Sequence, residues 1–158
     1  MPEDSPLVGP CDRSDADERA ALLALAPRIV TGVSPWRDGA AARAAAVAWV
    51  REALDEEPGP DSALLVARLG GRVVGMLGVR AREHWTGERD AYVGELVVDP
   101  DASRRGVGRA LVDAARAWAA QAGLGHLTLD TGAANTGARA FYAALGFREE
   151  AVRLTAPV

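Results

Sequence analysis

The stretch Glu95-Leu96-Val97-Val98-Asp99-Pro100-Asp101-Ala102-Ser103-Arg104-Arg105-Gly106-Val107-Gly108-Arg109-Ala110-Leu111 decides the fold. Its first half is an apolar strand that stops at Asp99-Pro100, since proline has no N–H to give to a sheet ladder. Its second half opens a helix, in which Val107, Leu111, Ala114, Ala115 and Trp118 recur at three- and four-residue steps up to Gly123. Between the two lies a tight loop containing Gly106 and Gly108. This order aims the first, unpaired N–H groups of the helix and its positive end at one point, which is an anion site. Arg104, Arg105 and Arg109 add positive charge around that point, so a diphosphate is the natural guest.

Two nucleotide loops compete for this reading. A P-loop needs Gly-Lys-Ser/Thr after the glycines, and the chain has Gly108-Arg109-Ala110 there, so that reading fails. A dinucleotide fingerprint needs a small third residue where Leu111 stands and a first glycine directly after the strand, whereas Pro100 to Arg105 intervene. Only Asp130, at a plausible distance for a ribose acid, speaks for it.

Working outward, Ala63 to Leu69 and Val73 to Val79 read as strands joined by a Gly70-Gly71 hairpin turn, and residues 80–90 as a polar connection to a strand over Tyr92 to Val98. Upstream, a short strand is expected around Leu7 and Val8. A helix starts at Ser14-Asp15-Ala16-Asp17-Glu18, and a second, Ala-rich helix runs from Ser34-Pro35-Trp36 to the Glu56-Glu57-Pro58-Gly59-Pro60 breaker. Downstream, His126 to Asp130 reads as a strand, Asn135 to Leu145 as a helix closed by Gly146, and Phe147 to Leu154 as a last strand. Helices come first and β-β-β-α-β-α-β follows, in one α/β domain with no repeat or linker.

Composition narrows the function. The chain has 158 residues, 49% apolar and 25% charged, with 22 acidic against 18 basic side chains and a net charge of −4. Every basic side chain is Arg, so a lysine Schiff base or lysine general base is impossible. No cationic run marks a nucleic-acid or anionic-membrane partner. One cysteine, Cys11, and two histidines, His84 and His126, exclude an internal disulfide and an ordinary Cys/His zinc site. The acidic amino terminus and the lack of a long apolar run make the cytoplasm the expected compartment.

A second block, Leu127-Thr128-Leu129-Asp130 followed by Asn135-Thr136-Gly137-Ala138-Arg139-Ala140-Phe141-Tyr142-Ala143-Ala144-Leu145-Gly146-Phe147, lies at the expected spacing from the first. Together the blocks resemble the GNAT superfamily of acyl-CoA-dependent N-acyltransferases. The first matches its Gln/Arg-x-x-Gly-x-Gly/Ala loop after Val-Asp-Pro, with Ser103 standing where Gln or Arg is usual; the second matches its Asn-x-x-Ala-x-x-Phe-Tyr-x-x-Leu-Gly-Phe ending. The resemblance implies a mixed, mostly antiparallel sheet, splayed at the acetyl-CoA site and flanked by helices. Residues 1–13 would hold the first strand, 14–60 a variable helical acceptor region, and 63–155 the sheet and cofactor core. Leu96, Val97 and Val98 would bond the pantetheine arm through their backbone, and Arg104, Arg105, Gly106, Val107, Gly108 and Arg109 would hold the pyrophosphate. Asn135 would contact the pantetheine or cap its own helix. Family members occur as monomers or homodimers, and either is open here.

The implied reaction moves an acetyl group to a primary amine, a small cationic amine or a peptide amino group, by direct attack in a ternary complex. An alkyl ammonium with a pKa near 10.4 is neutral only about once in a few thousand at pH 7, so a base is needed. Glu95, on the strand resembling the family's cofactor strand, is the first candidate and Asp130 the second. The departing thiolate needs a proton, which the resemblance assigns to the Tyr142 hydroxyl. Trp36, Glu83 and Trp85 stand in segments that would flank the acceptor cleft, with Glu83 and His84 outside candidates as base; Trp49 and Trp118, on helical faces, are expected in the core. A rival from another class is a non-catalytic acyl-CoA-binding regulatory module that keeps the loop but lacks a productive base.

Overall fold

The computed structural model describes residues 5–158. The strands are β1 (Leu7–Pro10), β2 (Ser62–Leu69), β3 (Arg72–Glu83), β4 (Arg89–Val98) and β5 (Leu127–Leu129). The helices are α1 (Ala16–Leu25), α2 (Gly39–Asp55), α3 (Val107–Gln121) and α4 (Thr136–Ala144), with 3₁₀ turns at Ala26–Val30 and Pro100–Ala102. The sheet order is β1-β2-β3-β4-β5, antiparallel throughout except for the β4–β5 pair, which is parallel. This is the mixed α/β architecture expected from the sequence, with helices on both faces.

Local chemistry places the elements. Asp15 accepts hydrogen bonds from Asp17 N (2.9 Å) and Glu18 N (3.2 Å) and so starts α1. Asp38 does the same for α2 through Ala41 N at 2.8 Å, so that helix starts later than Ser34-Pro35-Trp36 suggests. Gly70 and Gly71 both have positive φ, the requirement of the tight hairpin between β2 and β3.

Two apolar clusters lie on opposite faces of the sheet. On one, Leu77, Val79 and Val93 meet Val107, Leu111 and Val112 of α3 together with Leu145 after α4. On the other, Val66, Met76 and Val97 meet Leu22 and Leu25 of α1 and Val50 and Leu54 of α2. Burial of such side chains is worth roughly 1.5–3 kcal/mol each before the cost of ordering the chain.

Three expectations need correction. Residues 80–90 are not a loose connection, because β3 runs to Glu83 and β4 starts at Arg89, leaving only the hairpin His84 to Glu88, closed by His84 N to Glu88 O at 2.7 Å. A strand pair that extends beyond its covering helices tolerates polar side chains on both faces, so polarity misreads it as loop. The final strand over Phe147 to Leu154 is absent: these residues have no regular structure, and Val152 and Leu154 are 76% and 89% exposed. The three-residue β5 offers a partner few ladder bonds, and Arg148-Glu149-Glu150 interrupts the alternation. After α1 the chain also makes a 3₁₀ turn, Ala26–Val30, with Pro27 at its start. Trp49 is half exposed on α2, whereas Trp118 packs on the core as expected.

Candidate functional site

The sheet opens beside β4. Strand β5 pairs only with Ala91, Tyr92 and Val93, ending at Val93 opposite Leu129, while β4 continues to Val98. Beyond that point β4 keeps β3 on one side, and no strand among the described residues covers the other. Leu96 and Val98 are anchored in the α3-side cluster and Val97 in the opposite one, so this segment presents its backbone, not its side chains, to the gap. That is the geometry a pantetheine arm needs to bind as an added strand.

The splay coincides with a β-bulge. The register passes from Val79 opposite Val93 to Gly78 opposite Glu95, so Gly94 is an extra residue. The extra residue reverses the alternation: Ala91 and Val93 face α3, as do Leu96 and Val98, whereas Val97 turns to the α1–α2 face. Glu95 goes with Val97. Its carboxylate lies over Gly78 of β3, in the place that a Cβ at residue 78 would occupy. A cleft at this point is lined by Arg13, Glu56, Ser62, Gly78, Arg80 and Glu95. Burial pushes the Glu95 carboxyl above the usual carboxylate range; the nearby Arg80 opposes the rise and Glu56 adds to it. Arg80 and Glu56 are themselves paired at 3.1 Å.

At the far end of β4, Asp99 accepts from Asp101 N (3.0 Å) and pairs with Arg72 (2.9 Å), which fixes the turn out of the strand. These bonds, with that from Asp101 N foremost, hold its carboxyl below the ordinary range. The loop then takes two left-handed steps, Arg104 (φ 61°) and Gly106 (φ 77°), and α3 starts with no side-chain cap. Its first intrahelical bond runs from Ala110 N to Gly106 O, so the N–H groups of Val107, Gly108 and Arg109 precede the ladder. Val107 is buried, while Arg104 and Arg109 are exposed and make no ion pair among the described residues. An uncapped fifteen-residue helix with two left-handed residues before it fits a diphosphate. Gly108 has a second reason to be glycine, since a Cβ there would lie 3.0 Å from the Phe141 ring.

The segment after α1 bridges the opening. The turn Ala26–Val30 packs against β4, and Thr31 O then accepts from Asn135 Nδ2 at 2.9 Å, on the β5 side. Asn135 Oδ1 accepts from Ala138 N at 3.2 Å, so the same amide caps α4 and ties down the segment around Thr31. The fit is close: a Cβ on Gly32, which has φ +86°, would strike Asn135, and one on Gly132 would strike Gly32 O.

The other candidates are distributed around this frame. Asp130, just after β5, accepts from the Tyr92 hydroxyl at 3.0 Å, and Arg82 lies over the Tyr92 ring at 4.5 Å. Tyr142 is half-buried on α4 between the rings of Phe141 and Phe147, and burial raises its pKa. Glu83 and Trp85 are not drawn to Glu95: they sit at the β3–β4 hairpin, five or more residues from Gly78, roughly 17 Å along a strand. Trp85 is 90% exposed, and Trp36 is exposed ahead of α2. Sequence reasoning missed Gly78, Arg80, Glu56 and Tyr92 near Glu95; an interior strand glycine was the available signal for Gly78.

Comparison with known proteins fits this frame. No curated protein sequence gives a significant match. The chain is similar in structure to an aminoglycoside acetyltransferase from an uncultured soil metagenomic sample (TM-score 0.70, 21% identity, 98% of this chain and 99% of that one). It is also similar to a putative acetyl transferase from Pyrococcus furiosus (0.75, 16%, 98% and 100%). A third is AAC(6')-Iy in complex with the bisubstrate analog CoA-S-monomethyl-acetylneamine (0.69, 20%, 97% and 98%). At these identities the likeness is one of fold. The model of the acetyltransferase (GNAT) family matches residues 33–147, and the chain belongs to that family.

Proposed function

We propose that this GNAT-family acetyltransferase is an N-acetyltransferase that uses acetyl-CoA and a primary amine in a ternary complex, with Glu95 as the base. The observation that carries this reading is the Gly94 bulge, which lifts Glu95 onto the α1–α2 face at the point where β4 loses its β5 neighbour.

Bound acetyl-CoA supplies an activated acyl thioester. The backbone of Leu96, Val97 and Val98 would hold the pantetheine, and the loop from Arg104 to Arg109 the diphosphate. Glu95 takes the proton that the acceptor amine must lose, directly or through one water. A carboxyl raised by burial is the stronger base once ionised, so its environment favours that task. As the nitrogen–carbonyl bond forms and the carbon–sulfur bond breaks, the Tyr142 hydroxyl would protonate the leaving thiolate and regain its proton from solvent. Asp130, whose Oδ2 accepts from the Tyr92 hydroxyl, is the second candidate for the base.

Calorimetric titration with acetyl-CoA, run beside NAD and ATP, followed by thiol-release assays over polyamines, amino acids, aminoglycosides and short peptides, tests the reading. Acetyl-CoA binding with thiol release on one amine class is expected. Folded protein that binds no acetyl-CoA would overturn it, and binding without release from any amine would turn the assignment to a regulatory acyl-CoA-binding module.

A further inference from the structure

The polar face of the sheet beyond Glu95 carries a separation of charge that the reaction alone does not require. On the α1–α2 face, β3 presents Gly78, Arg80 and Arg82 in sequence, and β4 presents Tyr92 opposite Arg80. The acids Glu95 and Asp130 flank the opening beside β4, and the guanidinium groups stand on β3. Most of the charges near this face are already matched: Arg80 pairs with Glu56 at 3.1 Å and Arg89 with Asp61 at 3.1 Å. Asp90, opposite Arg82 in the register, is buried and lies 3.3 Å from His126 Nδ1. Arg13 Nε donates to Ala53 O. Arg82 is different. It is exposed, makes no ion pair among the described residues, and is held over the Tyr92 ring, where it also reaches the hydroxyl that donates to Asp130.

A guanidinium stacked on an aromatic ring and turned toward the Tyr92 hydroxyl still has N–H groups left to donate, and carboxylate is the anion its planar fork matches best. We infer that Arg82 anchors an anionic group of the acceptor, so that the preferred amine is amphoteric: a short peptide whose amino group meets Glu95 while its carboxylate meets Arg82. This rests on the N-acetyltransferase reading above. Arg82 lies four residues along β3 from Gly78, over which the Glu95 carboxylate sits, or about 13 Å at strand spacing. The arginine side chain shortens that span, and an extended peptide of two to four residues, at about 3.5 Å each, fills it. A polycation would meet the unpaired Arg82 beside its target acid, where a peptide carboxylate meets a partner.

The test compares alanyl-glycyl-alanine with its C-terminal amide as acceptors, at saturating acetyl-CoA, in wild type, Arg82→Gln, Arg82→Lys and the hairpin control Arg89→Gln. Wild type should prefer the free acid by about tenfold or more in kcat/KM, the size of one charge-assisted contact. Arg82→Gln should bring the ratio to about one through KM for the acid, Arg82→Lys should restore part of it, and Arg89→Gln should leave it alone. Equal use of acid and amide by wild type, a preference that survives in Arg82→Gln, or faster turnover of polyamines and aminoglycosides than of either peptide overturns the inference while leaving N-acetylation intact. Absence of thiol release with any amine defeats the catalytic reading itself and the inference with it.

Discussion

Gly78 and Glu95 face each other across β3 and β4, and the volume that a side chain at 78 would fill is taken by the Glu95 carboxylate. The glycine therefore belongs to the site although it carries no functional group. Its φ is not in the left-handed region, so an alanine there meets no backbone strain and acts only by displacing Glu95. Gly78→Ala should lower kcat by about 10²-fold, the lower end of what a positioned base contributes, with acetyl-CoA affinity unchanged. Steady-state kinetics beside calorimetry checks this; an unaltered kcat would remove Glu95 from the proton transfer.

The pH dependence follows from the burial of Glu95. Its folded pKa is raised above its unfolded value, so the folded state holds the proton more firmly and loses stability as pH rises between the two values. Glu95→Gln should therefore raise the melting temperature at pH 7 and lose that advantage near pH 4. The rate of the wild type should fall on the acid side at a pH above the ordinary carboxylate range. Glu56→Gln should move that limb to lower pH and Arg80→Gln to higher pH, since Glu56 raises the Glu95 pKa and Arg80 lowers it. Shifts in the same direction would contradict the electrostatic account.

Asn135 has two bonds that substitution can separate. Asn135→Ala removes the α4 cap and the tie to Thr31 and should cost about 1 kcal/mol for the cap alone. Asn135→Asp keeps an accepting oxygen for Ala138 N but sets a carboxylate against the Thr31 carbonyl, so it should spare the helix start while freeing the segment around Thr31. Limited proteolysis between Thr31 and Asp38 should accelerate in both variants. An Asp variant as resistant as wild type would show that the Thr31 bond carries no load.

Arg109 is exposed at the first turn of α3, where its effect on a bound diphosphate is screened by salt. Arg109→Gln should weaken acetyl-CoA binding by about two- to fivefold in low salt, with the gap closing at high salt and kcat at saturation unchanged. Titrations at two ionic strengths decide it, and a salt-independent loss would point instead to distortion of the loop.

The single thiol is protected. Burial, with the nearby Glu18 carboxylate, pushes Cys11 up to about 11, so the native protein should be nearly inert to thiol reagents at pH 8 and react only on denaturation. Thiol-release assays would then read coenzyme A alone. Rapid labelling of native protein would contradict the burial of Cys11 beneath α1.

Much of the site was legible in the sequence because its determinants are local. The stop at Asp99-Pro100, the two loop glycines, the apolar period of α3 and the Asn135 cap are each set within a few residues, and the structure reproduces them. The hairpin extension of β3 and β4 was not legible, because polar side chains are as acceptable on an exposed strand pair as in a loop. Nor was the missing last strand, whose alternation at Val152 and Leu154 finds no partner among the described residues.

By itself, then, the sequence determined a strand, a glycine-bearing loop and a helix in that order, together with the residue types available for chemistry. Only the tertiary structure decided which way Glu95 points, what makes room for it, and that Thr31 meets Asn135 across 104 residues of chain. The physical reason is register. The face a strand side chain takes depends on pairing with a neighbouring strand, and one inserted residue, Gly94, reverses that face without altering any local pattern.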